Sequence, residues 1–296
     1  MKKSQIDLEV LAQRFASSNK KPLLLVISGP TSSGKTDVSI SIAKDLKKKS
    51  VVAEIVSADS RQIYKGLDLL SGKVTKKEMS GIPHYMLDVA NPKRKYSVAK
   101  YQKQAKKIIS QIIKKGHLPI LVGGTGFYID SITKGIVLPE VKPDTKLRKD
   151  LDKLSTNQLF SILKKLDSER AKNIDKQNKV RLIRSIEIAK SIGKVPKLKE
   201  LNDYEVMGIY VDLPDSELQK RIKTRIEKRL KYGMLEEAQR IVKSGVSLRR
   251  MHELGLECHF AALYIEGNIS KKDLREELYK ATWQYVKRQR TWFKKK

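Results

Sequence analysis

With 296 residues the chain is long enough for one large domain, or a core with a smaller satellite, and for a sizeable buried interior. Its 63 Lys and Arg against 33 Asp and Glu give a formal net charge of +30, an excess that repels itself unless the working partner is a polyanion or the chain simply shares a lysine-rich background. The single cysteine, Cys258, excludes an internal disulfide, fits a reducing compartment and reads as a half-buried apolar thiol; no run approaches the length of a membrane span, so a cytoplasmic protein is expected.

Met1 to Lys20 reads as a short amphipathic helix through Ile6, Leu8, Val10, Leu11 and Phe15, an extension expected to carry no chemistry. The apolar run Leu23 to Ser28 follows, a buried strand leading straight into Gly29, Pro30, Thr31, Ser32, Ser33, Gly34, Lys35 and Thr36. That octapeptide is GxxxxGK[ST], a phosphate-binding loop, which arises by chance in such a chain at roughly the per cent level. Val38, Ile42 and Leu46 recur at helical spacing, so a helix N-terminus points at whatever anion the loop holds. Lys35 would reach the terminal phosphate as a point charge, and the Thr36 hydroxyl would ligate Mg²⁺.

Val51 to Ser57 is the next strand, ending in Ala58, Asp59, Ser60, Arg61, Gln62, Ile63 and Tyr64. A polar cluster directly after a strand falls at the carboxyl edge of a parallel sheet, where ligands of open α/β folds bind. Asp59 therefore lands near the phosphate loop, as a metal ligand, a base or a cap for the turn after it. Residues 67–89 are irregular; they contain Asp88 and His84, the latter read as a structural hydrogen-bonder. Ser97 caps a helix through Val98, Tyr101, Ala105, Ile108 and Ile112, which Gly116 closes. Leu118 to Val122 is a further strand, followed by Gly123, Gly124, Thr125 and Gly126, and the alternation is of the doubly wound kind.

Pro139 to Pro143 reads as a linker. Beyond it Leu147, Leu151 and Leu154 mark one helix, and Ser155 with Gln158 a capping box for the next. Val180 to Ile192 is a third, with Arg181 and Arg184 on one face and Leu182, Ile186 and Ala189 on the other. Met207 to Leu213 alternates like a strand and returns to the sheet. The expected fold is thus α/β, a P-loop parallel sheet core flanked by helices with a small all-helical inserted domain. Its expected boundaries are 1–20 for the extension, 21–140 with 205–296 for the core, and 141–204 for the insertion. From Asp215 a helix buries Leu218, Ile222, Ile226 and Leu230, while Arg221, Arg225 and Arg229 form a parallel stripe. Such arginines either converge on one anion or form a solvated basic face. The last helix opens with Ser270 and Asp273 and ends in a basic run with aromatics, 287–296, suited to a nucleic-acid backbone, with its last three lysines reading as a frayed tail.

Two function classes follow. One is a P-loop kinase or NTPase acting on a small phosphorylated metabolite; the other uses the same cradle for a different pyrophosphate and acts on RNA. P-loop hydrolases carry an apolar strand ending in Asp to help hold Mg²⁺. Here Leu118 to Val122 ends in glycines, and Asp59 is the strand-end acid near the loop. The charge favours the RNA enzyme.

GPTSSGKT, SADSRQIY, the segment His84 to Asp88, YSVAKY, LVGGTGFY, VRLIRSIEI and KRQRTWF stand in an order and spacing that resembles the tRNA dimethylallyltransferases of bacterial type, from Leu23 onward. The resemblance implies transfer of the allyl group of dimethylallyl pyrophosphate to the exocyclic amine of the adenosine 3′ of the anticodon, with Mg²⁺ as cofactor. It also implies that the partner is the anticodon stem-loop of tRNA, not a membrane, and that the enzyme is a monomer. By the same resemblance Gly29 to Thr36 hold the pyrophosphate with Arg221 and Arg225 near it, Thr36 meets the metal, and Asp59, Thr36 and Arg225 form the catalytic set with Asp59 as base. Asp59, Ser60, Arg61 and Gln62 would touch the target nucleotide and Thr125 the reacting base, while Arg148, Arg181 and Arg184 would meet tRNA. The segment Met251 to His259 departs from the family's pattern, so no contact is carried over within it.

Overall fold

The computed structural model describes residues 7–18, 21–197, 199–201 and 203–294. Ile6 of the expected N-terminal helix and the terminal Lys295 and Lys296 lie outside them. In chain order the elements are α1 (Leu8–Ser17), β1 (Leu23–Ser28), α2 (Lys35–Lys47), β2 (Ala53–Ser57), α3 (Lys76–Met79), β3 (His84–Tyr85), α4 (Val98–Lys114), β4 (Leu118–Gly123) and α5 (Gly126–Thr133). Then come α6 (Thr145–Asp152), α7 (Thr156–Leu166), α8 (Ser168–Lys172), α9 (Lys179–Ile192), β5 (Glu205–Tyr210), α10 (Asp215–Lys231), α11 (Met234–Lys243), α12 (Leu248–Glu253), α13 (Leu256–Ile265) and α14 (Lys271–Lys294). They fall into two compact units, Met1–Gly135 with Asn202–Lys296, and Ile136–Leu201. The second begins and ends a few residues before the 141–204 read from sequence, because Val137 N–H donates to the Lys199 carbonyl and ties its two ends together ahead of the prolines.

In the first unit the described strands form one parallel sheet of order β3-β2-β4-β1-β5. Strands β1 and β4 are apolar throughout because helices cover both faces. Leu23, Leu25 and Ile27 pack with Ile40, Ile42 and Leu46 of α2, whereas Leu24 and Val26 pack with Tyr101, Ala105 and Ile109 of α4. Leu11 of α1 is fully buried in the α2 layer, so the N-terminal helix belongs to the core rather than standing ahead of it. The edge strand β5 buries only Ile209, which blurs its alternation; the strand is Glu205–Tyr210, not Met207 to Leu213, and Asp212 therefore lies beyond its end. A further cluster joins α10, α11, α13 and α14 to Ile63, Leu67 and Leu70. Cys258 sits in it fully buried, not half-buried, and burial pushes its thiol pKa up.

The second unit is all helical and closes on Leu151, Leu159, Leu163, Leu182 and Ile186. Ser155 and Gln158 form the reciprocal cap at the start of α7. Glu187 is buried at 2% exposure, yet it is fully engaged: Arg148 reaches it through Nε at 2.8 Å and Nη2 at 2.6 Å, Arg184 also pairs with it, and the Asp144 N–H donates at 2.7 Å. These partners hold its carboxyl pKa down against the opposing effect of burial. Removing one partner of such a cluster strands the others. Because the arginines are about one-third exposed, we expect Glu187→Gln to destabilise the chain by roughly 2 kcal/mol rather than the larger cost of a fully buried pair. Denaturant unfolding checks this, and a change under about 0.5 kcal/mol contradicts it.

Candidate active site

The parallel register brings the carboxyl ends of β1, β2, β4 and β5 to one edge of the first unit. There the loop 29–34 leaves β1 and wraps the N-terminus of α2. Gly29 needs to be glycine: its φ is +151°, and a Cβ would lie 2.0 Å from the Val211 carbonyl oxygen at the end of β5. Ser32 and Gly34 also take positive φ, a backbone course that turns successive N–H groups inward, and Gly34 gives α2 no side-chain cap. Among the described residues the hydroxyls of Ser32 and Ser33 are buried without hydrogen-bond partners, as is Arg225 Nε. Buried polar atoms are rarely left so, and a cluster of them with a buried lysine is suited to an anion.

The cations agree. Lys35 Nζ folds back onto the Pro30 carbonyl at 2.6 Å. Burial pulls its pKa down to about 8, with Asp59 and Asp212 pulling the other way and Arg225 adding to the fall. Arg225, from α10, donates to Thr31 Oγ1 at 2.7 Å, and burial with neighbouring Arg229 lowers it to about 9. The stripe on α10 thus divides its labour. Arg225 is drawn into the loop; Arg229 pairs with Glu257 at 2.9 Å and lies against Gly72; Arg221 sits at the half-exposed rim, paired with Glu217. The solvated-face reading fails for Arg225 and Arg229.

Next to the loop, Asp59 Oδ1 accepts from the N–H groups of Arg61 (2.8 Å) and Gln62 (3.3 Å), which is the capping role. Its second oxygen has no hydrogen bond among the described residues. The turn after β4 closes on the same place, because Thr125 N–H donates to the Ala58 carbonyl and Ser60 N–H to Thr125 Oγ1 at 3.1 Å. Gly123 permits this approach, since a Cβ there would lie 2.2 Å from the Ala58 oxygen. Behind Asp59, Tyr101 stacks on Tyr128 and donates to the Ser57 carbonyl, which fixes the end of β2. Gln62 donates to the Gly72 carbonyl and Arg61 to that of Glu253. Loop, Asp59, the α10 arginines and α14 line one cavity of about 870 Å³.

Sequence reasoning missed four residues here. Asp212 is a second strand-end acid beside the loop, hidden because the strand was extended through it; Arg290 clamps both its oxygens, at 2.9 and 3.0 Å. Glu257, in the segment that departs from the family's pattern, fixes Arg229. Tyr285 lines the cavity and has its pKa raised to about 12 by burial and then by Asp59. Gln289 is buried between the loop and the β4 turn. The run 287–293 continues α14, and Gln289, Arg290 and Trp292 all turn inward, Trp292 onto Gly126 and Asp130.

Residues 62–296 match the family model described as IPP transferase. The chain belongs to the IPP transferase family. The match begins at Gln62, so the phosphate loop and Asp59 lie outside it. A tRNA dimethylallyltransferase of Caldicellulosiruptor saccharolyticus is 38% identical, the alignment covering 92% of this chain and 89% of that protein. The crystal structure of the full-length tRNA isopentenylpyrophosphate transferase of Bacillus halodurans superposes with a TM-score of 0.67 at 31% identity, covering 92% of this chain and 87% of the other. That of Staphylococcus epidermidis gives 0.65 at 35% identity, covering 93% and 90%.

In this member of the IPP transferase family, Gly29 to Thr36, Asp59 to Gln62, Thr125, Arg221 and Arg225 stand in the unit that carries the cavity, while Arg148, Arg181 and Arg184 stand in the helical unit. His84 lines the cavity with Nδ1 on the Ile82 carbonyl, and its Nε2 is buried without a partner among the described residues. The described residues hold no cluster of three or more His, Cys, Asp or Glu fit for a metal. The Thr36 hydroxyl still fits Mg²⁺, which binds through few protein oxygens and completes its shell with phosphate oxygens and water. No described helix is long and apolar enough to cross a membrane.

The lowered Lys35 pKa has a sign that can be tested. A bound anion favours the protonated amine, so affinity is full below the free value of about 8 and is lost as pH rises through it. For an alkyl pyrophosphate, whose last ionisation lies well below that, we expect affinity to fall about tenfold between pH 7 and pH 9. Lys35→Arg should give a shallower profile in the same titration. A flat wild-type profile contradicts the assignment.

Proposed function

We propose that this enzyme transfers the dimethylallyl group of dimethylallyl pyrophosphate to the exocyclic amine of the adenosine next to the anticodon of tRNA. The observation that carries the reading is the opening of an anion cradle, of the Asp59 turn and of Gly123 and Gly124 after β4 onto one cavity, in a chain whose relatives are named for that reaction. A small-molecule kinase is not favoured: Asp212, the other strand-end acid, is tied up by Arg290, and the net charge of +30 suits a polyanionic substrate.

The chemistry follows from the residue types. The bond from allylic carbon to pyrophosphate oxygen breaks as the bond from adenine nitrogen to that carbon forms, so negative charge grows on the leaving group. Lys35, Arg225 and the N-terminal amides of α2 meet that charge, the two cations from buried positions where they act most strongly. Mg²⁺ on the Thr36 hydroxyl would add neutralisation at the same oxygens. The adenine amine is a weak nucleophile, and the uncommitted oxygen of Asp59 is suited to take its proton, with Thr125 and Ser60 placing the base beside it. Taking that base out of the anticodon stack costs roughly a few kcal/mol, which contacts to the RNA backbone offset. In the helical unit Arg181 is exposed and available for this, whereas Arg148 and Arg184 already serve Glu187 and would contact phosphate only from within that cluster.

Asp59→Asn separates the roles of that carboxylate. Asn keeps the turn-capping oxygen but cannot accept the amine proton. We expect normal folding, near-normal binding of both substrates and a single-turnover transfer rate lower by roughly 10²-fold or more. Weakened pyrophosphate binding that added Mg²⁺ restores would instead make Asp59 a metal ligand, and a near-normal rate would remove it from the chemistry.

A further inference from the structure

Gln289 lies 5% exposed on the inward face of α14, between the two halves of the site. Its Oε1 accepts from the N–H of Thr31 in the phosphate loop at 2.9 Å, and its Nε2 donates to the Gly124 carbonyl at 2.8 Å. The amide orientation is fixed by chemistry, because Thr31 N–H can only donate and the Gly124 oxygen can only accept. Thr31 is held at both its polar groups, the amide by Gln289 and the hydroxyl by Arg225. Gly124 is shaped for the contact, since a Cβ there would lie 2.4 Å from Nε2, and the next residue is Thr125. One primary amide thus bridges the donor loop and the acceptor turn. On either side of it along the helix Tyr285 lines the same cavity and Trp292 packs on Gly126 of the acceptor turn.

We propose that Gln289 is a positioning residue that sets the spacing between the pyrophosphate loop and the acceptor turn, the distance across which the allyl group passes. This rests on the transfer reaction proposed above. Side chains that hold two reacting partners in register act on the rate from the bound complex more than on either affinity, because a small misplacement removes the productive geometry. Glu has the same shape and can still accept from Thr31, but it cannot donate to Gly124 and sets a carboxylate against that carbonyl. Met keeps the volume and loses both bonds.

The test compares wild type, Gln289→Glu and Gln289→Met in the full chain by single-turnover transfer at saturating substrates, with the rate taken per active site from the amplitude. Titration with inorganic pyrophosphate at fixed pH accompanies it. Both variants should transfer at least tenfold more slowly per active site. Pyrophosphate affinity should stay within about threefold in Gln289→Glu and weaken further in Gln289→Met. Per-site rates within twofold of wild type, with only the amount of active enzyme reduced, would make Gln289 a core-filling residue and overturn the proposal. Should the wild type itself transfer nothing, the reaction assignment falls instead; the titration then decides on its own, and equal affinities for the two variants would refute the bridge.

Discussion

The parallel pairing of β1 with β4, from Leu25 opposite Ile120 to Ser28 opposite Gly123, is the constraint on which the site depends. Both strands are buried on both faces, so a slip of one residue would exchange the α2-facing and α4-facing side chains and break two cores together. Because register is held this firmly, the ends of the strands are also fixed. The phosphate loop, the Asp59 turn and the Gly124–Thr125 turn therefore meet with backbone contacts too close for a Cβ at Gly29 and Gly123. The scaffold spends ordinary apolar packing to make an unusual concentration of polar groups at one edge.

Those groups are poorly satisfied as they stand. Lys35 and Arg225 are cations in a desolvating environment, both with lowered pKa values, and the serine hydroxyls beside them lack partners among the described residues. Such an arrangement costs stability, and in the proposed reaction the pyrophosphate would offset it, as preorganised electrostatic sites trade stability for function. Where the cations have a permanent job, they are neutralised: Arg229 by Glu257, Arg290 by Asp212 and Asp215, Arg148 and Arg184 by Glu187. The distinction between paired and waiting arginines separates framework from site more sharply than charge counting does.

Local chemistry was legible in the sequence and long-range closure was not. The octapeptide 29–36 announced itself because its glycines, lysine and threonine act within a few residues of one another. Asp59 was legible as a polar residue ending an apolar strand. The α10 stripe was legible as spacing, but whether Arg225 faced solvent or the loop depended on Thr31 after β1, which lies far away in the chain. Asp212 was lost when an edge strand with little burial was read too long, and Gln289 was lost inside a run whose basic and aromatic residues suggested a nucleic-acid surface. An amide whose partners are backbone groups of Thr31 and Gly124 leaves no periodic or compositional trace.

The account's central claim is that one cavity joins an allyl pyrophosphate to an adenosine amine without a nucleoside triphosphate. The direct measurement incubates the enzyme with labelled dimethylallyl pyrophosphate and an anticodon stem-loop carrying that adenosine, beside parallel reactions with nucleoside triphosphates. Label entering RNA, absent from a stem-loop with guanosine at that position and accompanied by no triphosphate turnover, is the predicted result. Triphosphate hydrolysis or phosphoryl transfer with no label in RNA would contradict it.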